Sequence, residues 1–403
     1  MYKNPEELLV EIQRRAFRFF IEKSSPLTGL IVDRAGNFGD DNYTAASIAS
    51  TGYALAALPV GAHNCWIMSG EAAHRAERIL KFLLKMDHKN GWFPHFVHKA
   101  DGTRMWNSEF STIDTALLVA GAIACGQYFG GESTRMADEL YQRLDWQWVL
   151  TNGGTQPNKI TLSHGWTPER GFIPYEYYHY SEAILLYLLG LGPKNNPLPP
   201  EAWDKLERPV QEQNGLTALA GGPIFIHQMP MGFINLKGLK DRLGIDYWAS
   251  STNAMRIHKK FCASRAAQSL TYSRGLWGLN ASDGPDGYAA YGTSKDNPED
   301  GTVSPTGAIA SITFTPELAR EAAQRFYNLS RGNEKHGLWG RYGFSNAVNL
   351  DRDWHSPDVI GIDLGMVLLA IENHRNGFIW KLTQRYQPVQ KGLEVAGLEQ
   401  PPS

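Results

Sequence analysis

Cysteine is scarce: Cys65, Cys125 and Cys262 are the only three in 403 residues. None forms a CxxC or a metal-type spacing, so neither a disulfide framework nor a thiolate metal site is implied. One cysteine must stay unpaired, and Cys125 sits in an apolar run as a small core residue. Net charge is also low, −2 at pH 7, without a long basic run. That argues against nucleic acid or a membrane surface as a partner. No apolar run approaches the roughly 20 residues of a membrane span. Met1 to Phe20 is amphipathic and charged, not leader-like. As written, this predicts a cytoplasmic chain, or a periplasmic one if a leader precedes the numbering. Nucleotide and nucleophile motifs are missing as well: there is no P-loop, no GxSxG and no HExxH. Gly221-Gly222 lacks the strand–helix context of a dinucleotide site, and His95 and His98 lack the acidic or Cys partners of a zinc site. No calcium loop of alternating acids occurs. Neither metal nor organic cofactor is expected.

What is abundant is aromatic and flexible: 12 Trp, 17 Tyr, 17 Phe and 40 Gly. Trp and Tyr cover the flat C–H faces of sugar rings while a polar edge reaches hydroxyls. A large aromatic core explains the same composition equally well.

The chain alternates helical patterns with Gly-, Pro- and aromatic-rich loops. Apolar spacing predicts helices over 5–23, 45–58 (stopped by Pro59), 70–86, 111–129, 133–150 and 180–191. Further helical pattern covers 200–211, 239–242, 247–269, 303–311, 316–329 and 362–375. Strand-like alternation is rare; 171–174 and 222–226 read as hairpin pieces. About a dozen helices without a solenoid period suit an all-α (α/α)6 barrel, a double ring of helices with a loop-built cleft at one end. No linker divides the chain, so one domain over 1–387 is expected, with 388–403 a poorly ordered tail.

Acids at helix starts are the candidates for chemistry. Asp114 falls in the first turn of an apolar helix, where stabilising the helix N-terminus is the bland explanation. Glu109 precedes the same helix. Glu182 enters an apolar helix after a run of tyrosines, a setting that raises a carboxyl pKa and suits a general acid. Glu176 lies in the same loop. Asp363 opens another apolar helix. Asp283 and Asp286 sit in a turn-rich loop that turn chemistry alone explains, with a sugar-contacting rim as the functional reading.

These segments also occur as a recognisable ordered set. Ser111-Thr-Ile-Asp-Thr-Ala-Leu-Leu is followed by Tyr180-Ser-Glu-Ala-Ile-Leu-Leu-Tyr and Gly222-Pro-Ile-Phe-Ile-His-Gln. Trp277-Gly-Leu-Asn-Ala-Ser-Asp, Asp300-Gly-Thr-Val-Ser-Pro-Thr and Trp354-His-Ser-Pro-Asp-Val-Ile-Gly-Ile-Asp complete it. The chain resembles the bacterial glucoamylase-like domain family, which includes the β-1,2-glucanases of glycoside hydrolase family 144. That resemblance implies the (α/α)6 barrel, a β-1,2-glucan substrate, and Asp114, Glu182 and Asp363 as catalytic carboxylates. It implies inversion, with Glu182 as acid and Asp363 as base. The chain departs from the family pattern at Ser111 and Asp114, where the pattern has Asp and Glu.

The expected activity is hydrolysis of β-1,2-glucan, endo-acting or sophorose-releasing. The alternatives are transglycosylation of that polymer, hydrolysis of another glucan linkage, or glycan binding without catalysis. A retaining enzyme would hold its carboxyls about 5 Å apart, an inverting one about 6.5–9.5 Å. Trp166, Tyr178, Trp277, Tyr288 and Trp354 are candidate sugar contacts, though core packing explains each as well. Asp33 and Arg34 could bind hydroxyls at the rim. His227 and Gln228, after a strand-like run, could line the same pocket.

Overall fold

The computed structural model describes residues 4–151, 160–213, 215–219, 222–332 and 337–400. Helices dominate them. The first five are α1 (Pro5–Glu22), α2 (Ile48–His63), α3 (Ser69–Lys85), α4 (Thr112–Phe129) and α5 (Gly131–Gln142). Next come α6 (Ile184–Gly190), α7 (Glu201–Lys205), α8 (Phe225–Phe233), α9 (Tyr247–Ser264) and α10 (Leu270–Ser273). The last are α11 (Pro305–Ile309), α12 (Pro316–Gly332), α13 (Gly361–Asn376), α14 (Phe378–Thr383) and α15 (Gln387–Val395). Strands of two to four residues pair between them, mostly two by two.

Two kinds of helix are present. α1, α3 and α5 bury one face, as their periodicity predicts; α1 turns Leu8, Leu9, Ile12, Ala16, Phe19 and Phe20 inward. α2, α4 and α13 are buried almost all round. By composition α4 could cross a membrane, contrary to the expectation above, but it packs inside the fold against α2 and α5.

Glycine lets these central helices touch. A Cβ on Gly121 of α4 would stand 1.8 Å from the Gly52 carbonyl oxygen of α2. One on Gly365 of α13 would stand 2.2 Å from the Tyr53 ring. Only hydrogen fits at either place, so α2 lies against α4 backbone to backbone and carries α13 on another side.

Several boundaries differ from the sequence pattern. Pro59 does not stop α2, which runs to His63 because burial outweighs one lost backbone bond. Residues 143–150 leave the helix and turn, seating Trp146 in the core. Only Glu201–Lys205 of 200–211 is helical, and 239–242 is not helical at all. Residues 222–226 are no hairpin; they lead into α8. The expected tail is structured through residue 400: α15 buries Val389 and Leu393, and Glu399 pairs with Lys240. Residues 401–403 lie outside the described chain.

Candidate active site

The helix starts converge on a cavity of about 330 Å³. Its floor is Ala49 of α2, Ile113 and Leu117 of α4, Phe225 and Met229 of α8, and Ile360 and Ile362 at α13. Its polar groups are Asp33, Arg34, His95, Asp114 and Glu182, with Phe96 and Tyr288 completing the wall. A few aimed polar groups in an apolar concavity are the usual makeup of a small-molecule site.

Glu182 sits in the turn before α6. Burial pushes its carboxyl up to about 7, the negative charge of Asp114 adds to this, and a bond to the Tyr177 hydroxyl opposes it. A carboxyl that keeps its proton near neutrality is a proton donor.

Asp114 is anchored twice. Ser111 caps α4: its Oγ accepts from the Asp114 N–H at 3.3 Å and donates to Asp114 Oδ2 at 2.5 Å. On the other side, His95 Nε2 lies 3.5 Å from Asp114 Oδ1. His95 Nδ1 meets Glu109 Oε1 at 2.9 Å. Burial alone would lower the imidazole pKa, but Asp114, Glu109 and Asp33 outweigh it and lift His95 to about 9. Burial likewise works against the Glu109 charge, yet His95 holds its pKa below the usual range. At neutral pH the ring is a cation, with Glu109 at one nitrogen and Asp114 at the other.

The three side chains also offer metal-type ligand atoms within 4.8 Å of one another. Glu109 takes Nδ1 at 2.9 Å, while Nε2 and Asp114 Oδ1 stand 3.5 Å apart, long for a direct hydrogen bond.

Asp363 is buried and does not line the cavity, though its neighbour Ile362 does. Asn346 Nδ2 donates to its Oδ2 at 2.6 Å and Asn280 Nδ2 to its Oδ1 at 3.3 Å. Neither amide can flip: Asn346 Oδ1 accepts the Asp283 N–H at 2.7 Å, and Asn280 Oδ1 the Phe225 N–H at 3.2 Å. Both donors are therefore fixed towards Asp363. Burial, then Asp283 and Asp33, still push its pKa up to about 8 against the two amides.

Arg34 ties Asp363's neighbours together. It reaches Asp283 at 3.3 Å, Asp358 at 3.5 Å and Asp33 at 3.6 Å. Asp283 also accepts from Ser356 Oγ at 2.9 Å, and Asp358 from Tyr43 Oη at 2.7 Å. Burial raises the Asp33 pKa, with Arg34 pulling the other way.

Of the residues nominated from sequence, Asp33, Arg34, Asp114, Glu182 and Tyr288 meet in the cavity. Glu109 reaches it through His95; Asp283 and Asp363 do not line it, though Asp283 pairs with Arg34, which does. The others lie elsewhere. Trp277 is wholly buried in the core. His227 and Gln228 belong to helix α8, not to a strand, and do not line the cavity. His227 bonds Tyr180 Oη at 2.9 Å, and burial drops its pKa to about 3. Gln228 donates to the Gly307 carbonyl at 2.8 Å. Glu176 accepts from Thr161 Oγ1 at 2.7 Å. Trp166 packs on Phe110 and Trp148, Tyr178 is exposed beside His179, and Trp354 pairs with Asn349 in a short ladder. Asp286 is exposed and pairs with Arg352.

Sequence reading missed His95, which was set aside for want of acidic partners. Those partners exist, but in the loop and helix that follow, where spacing rules do not look. Asn280 and Asn346 were missed for the same reason.

A helical domain whose helix starts surround a carboxylate-lined cavity is the class defined so far. The chain belongs to the Glycoamylase family: that glucoamylase family model matches residues 174–387, more than half the chain. A curated relative, the exo β-1,2-glucooligosaccharide sophorohydrolase (non-reducing end) of Parabacteroides distasonis, is 28% identical over 96% of this chain. The chain spans 57% of that relative's length. Among solved structures, the endo-β-1,2-glucanase of Chitinophaga pinensis with sophorotriose and glucose superposes with TM-score 0.89. It is 25% identical, over 98% of this chain and 99% of that one. The β-1,2-glucanase of P. distasonis shares the fold, with TM-score 0.86 and 23% identity over 98% of this chain and 60% of that one. The family resemblance read from the motifs is thus borne out.

Proposed function

We propose that this chain hydrolyses β-1,2-glucan by inverting acid–base catalysis, on a single (α/α)6 barrel that extends through α15. The observation that carries the reading is Glu182: a carboxyl in an apolar cavity, beside Asp114, with its pKa lifted to about 7. It is the general acid and protonates the leaving glycosidic oxygen. Asp363, next to the cavity-lining Ile362, is the base; with its pKa pushed up to about 8 it takes a proton from water only in its ionised fraction, which grows as pH rises towards that value. Its two fixed amide donors suit the ionised form it needs, while burial opposes it. Burial keeps Glu182 protonated, and the charge of Asp114, held by Ser111 beside His95, adds to it. The relatives with β-1,2-glucan activities support the linkage.

Incubation with linear β-1,2-glucan, followed by reducing-end assay and NMR of the first product, tests this. New reducing ends that appear first as the α-anomer are expected. Initial β-anomer would establish retention and turn the assignment towards transglycosylation. Turnover only of another glucan would overturn the linkage, and binding without turnover would leave a glycan-binding protein.

A further inference from the structure

Trp106 is the most exposed aromatic side chain among the described residues, at 69%. An indole left in water offers a ligand a flat apolar face and a polar edge. Its backbone is unfavourable. Trp106 has φ +54° and the next residue, Asn107, φ +50°, two consecutive non-glycine residues in the left-handed region. Such strain persists only where the surroundings impose it.

Here they do. The Arg104 guanidinium donates to the Asn107 carbonyl at 2.7 Å and the Ser108 carbonyl at 2.5 Å, and Glu169 holds it from behind at 2.7 Å. On the near side Met105 N–H donates to the Phe96 carbonyl at 2.9 Å, and Ser108 Oγ accepts the Phe96 N–H at 3.2 Å. The backbone is fastened on both sides of Trp106, and only the ring is left in solvent.

The ring continues a file that starts inside the cavity. His95 stacks on Phe96 with centroids 3.9 Å apart, and Phe96 meets Trp106 at 5.2 Å and 62°. His95 and Phe96 line the cavity; Trp106 is the next ring outward. A flat, solvent-exposed ring on a fastened backbone, in edge contact with a ring that lines the cavity, matches the C–H face of a pyranose.

We propose that Trp106 is a stacking platform for a glucosyl unit of the chain running out of the cavity, and so selects long substrates over short ones. This rests on the carbohydrate reading above and assigns that site an outer subsite.

Steady-state kinetics of wild type, Trp106→Ala and Trp106→Phe on linear β-1,2-glucan and on sophorotriose test it. Trp106→Ala is expected to raise KM for the polymer about three- to tenfold, the value of one aromatic contact. KM for the trimer and kcat should stay unchanged, and Trp106→Phe should recover most of the loss. Equal losses on both substrates would mean that Trp106 acts through Phe96, and no loss on either would mean an idle ring; each overturns the subsite. Affinity electrophoresis in gels containing the polymer reads binding without turnover. If wild type cleaves nothing yet is retarded through Trp106, the hydrolase reading falls and the subsite stands. Retardation independent of Trp106, or none, overturns it.

Discussion

Replacing Glu182 with Gln separates the electrostatic account of this site from the catalytic one. In the folded chain the carboxyl titrates near pH 7, against 4.5 for an ordinary Glu. The folded pKa is the raised one, so its contribution to stability is complete below pH 4.5 and is lost as pH rises through 7. Each unit corresponds to about 1.4 kcal/mol, so the ionised Glu182 costs the fold up to roughly 3 kcal/mol at alkaline pH. Residual solvent contact reduces this to about 2 kcal/mol. Glutamine keeps the shape and cannot ionise. Urea unfolding across that pH range should show the variant gaining on wild type by about 2 kcal/mol between acid and alkali. The same variant should lose about 10²–10⁴-fold in kcat on polymeric substrate. A stability difference that stays flat with pH would refute the placement of a protonated acid in an apolar cavity, whatever happened to the rate.

Three further outcomes follow from the same contacts. Asp114→Asn removes a like charge from beside Glu182, so the Glu182 midpoint near pH 7 should move to lower pH; carbon-detected NMR titration reads this without needing activity. His95→Gln removes a cation whose stabilising effect is complete below pH 6.5 and fades as pH rises through about 9. The variant's deficit in thermal stability should therefore be larger below pH 6.5 than above 9. Gly121→Ala must force α2 and α4 apart; the roughly 1 kcal/mol gained in helix propensity cannot offset an overpacking cost of about 3 kcal/mol or more. A calorimetric Tm equal to wild type would contradict the backbone contact.

One-sided burial made α1 and α3 legible, while α5, also one-sided, was read on to 150 although it ends at Gln142. α1 and α3 follow their periodicity to within a residue or two, because one-sided burial writes itself into the spacing. Short apolar runs were not legible: 222–226 reads as strand, yet it leads into α8, since a run of that length fits either period. The acids at helix starts stood out because an ionisable group opening an apolar helix is conspicuous. Which of them share a cavity depends on how the helix starts converge, and no local pattern encodes that. The aromatics were the least informative. Trp277 and Trp106 are the same residue type, one wholly buried and one mostly in water, and composition says nothing of which side a ring faces. His95 shows the limit most clearly, since Glu109 and Asp114 reach it only after the chain has turned back.

The contact of Gly52 with Gly121 reaches beyond packing. Ala49 and Leu117, both in the cavity floor, lie one helical turn before these two glycines. The level of that floor is therefore gauged by the thickness of two peptide backbones, a dimension that exchanging other side chains leaves alone. Loops such as the one carrying Trp106 are free of this gauge. New substrate preferences can be explored at the rim, residue by residue, while the reacting groups keep their level beneath.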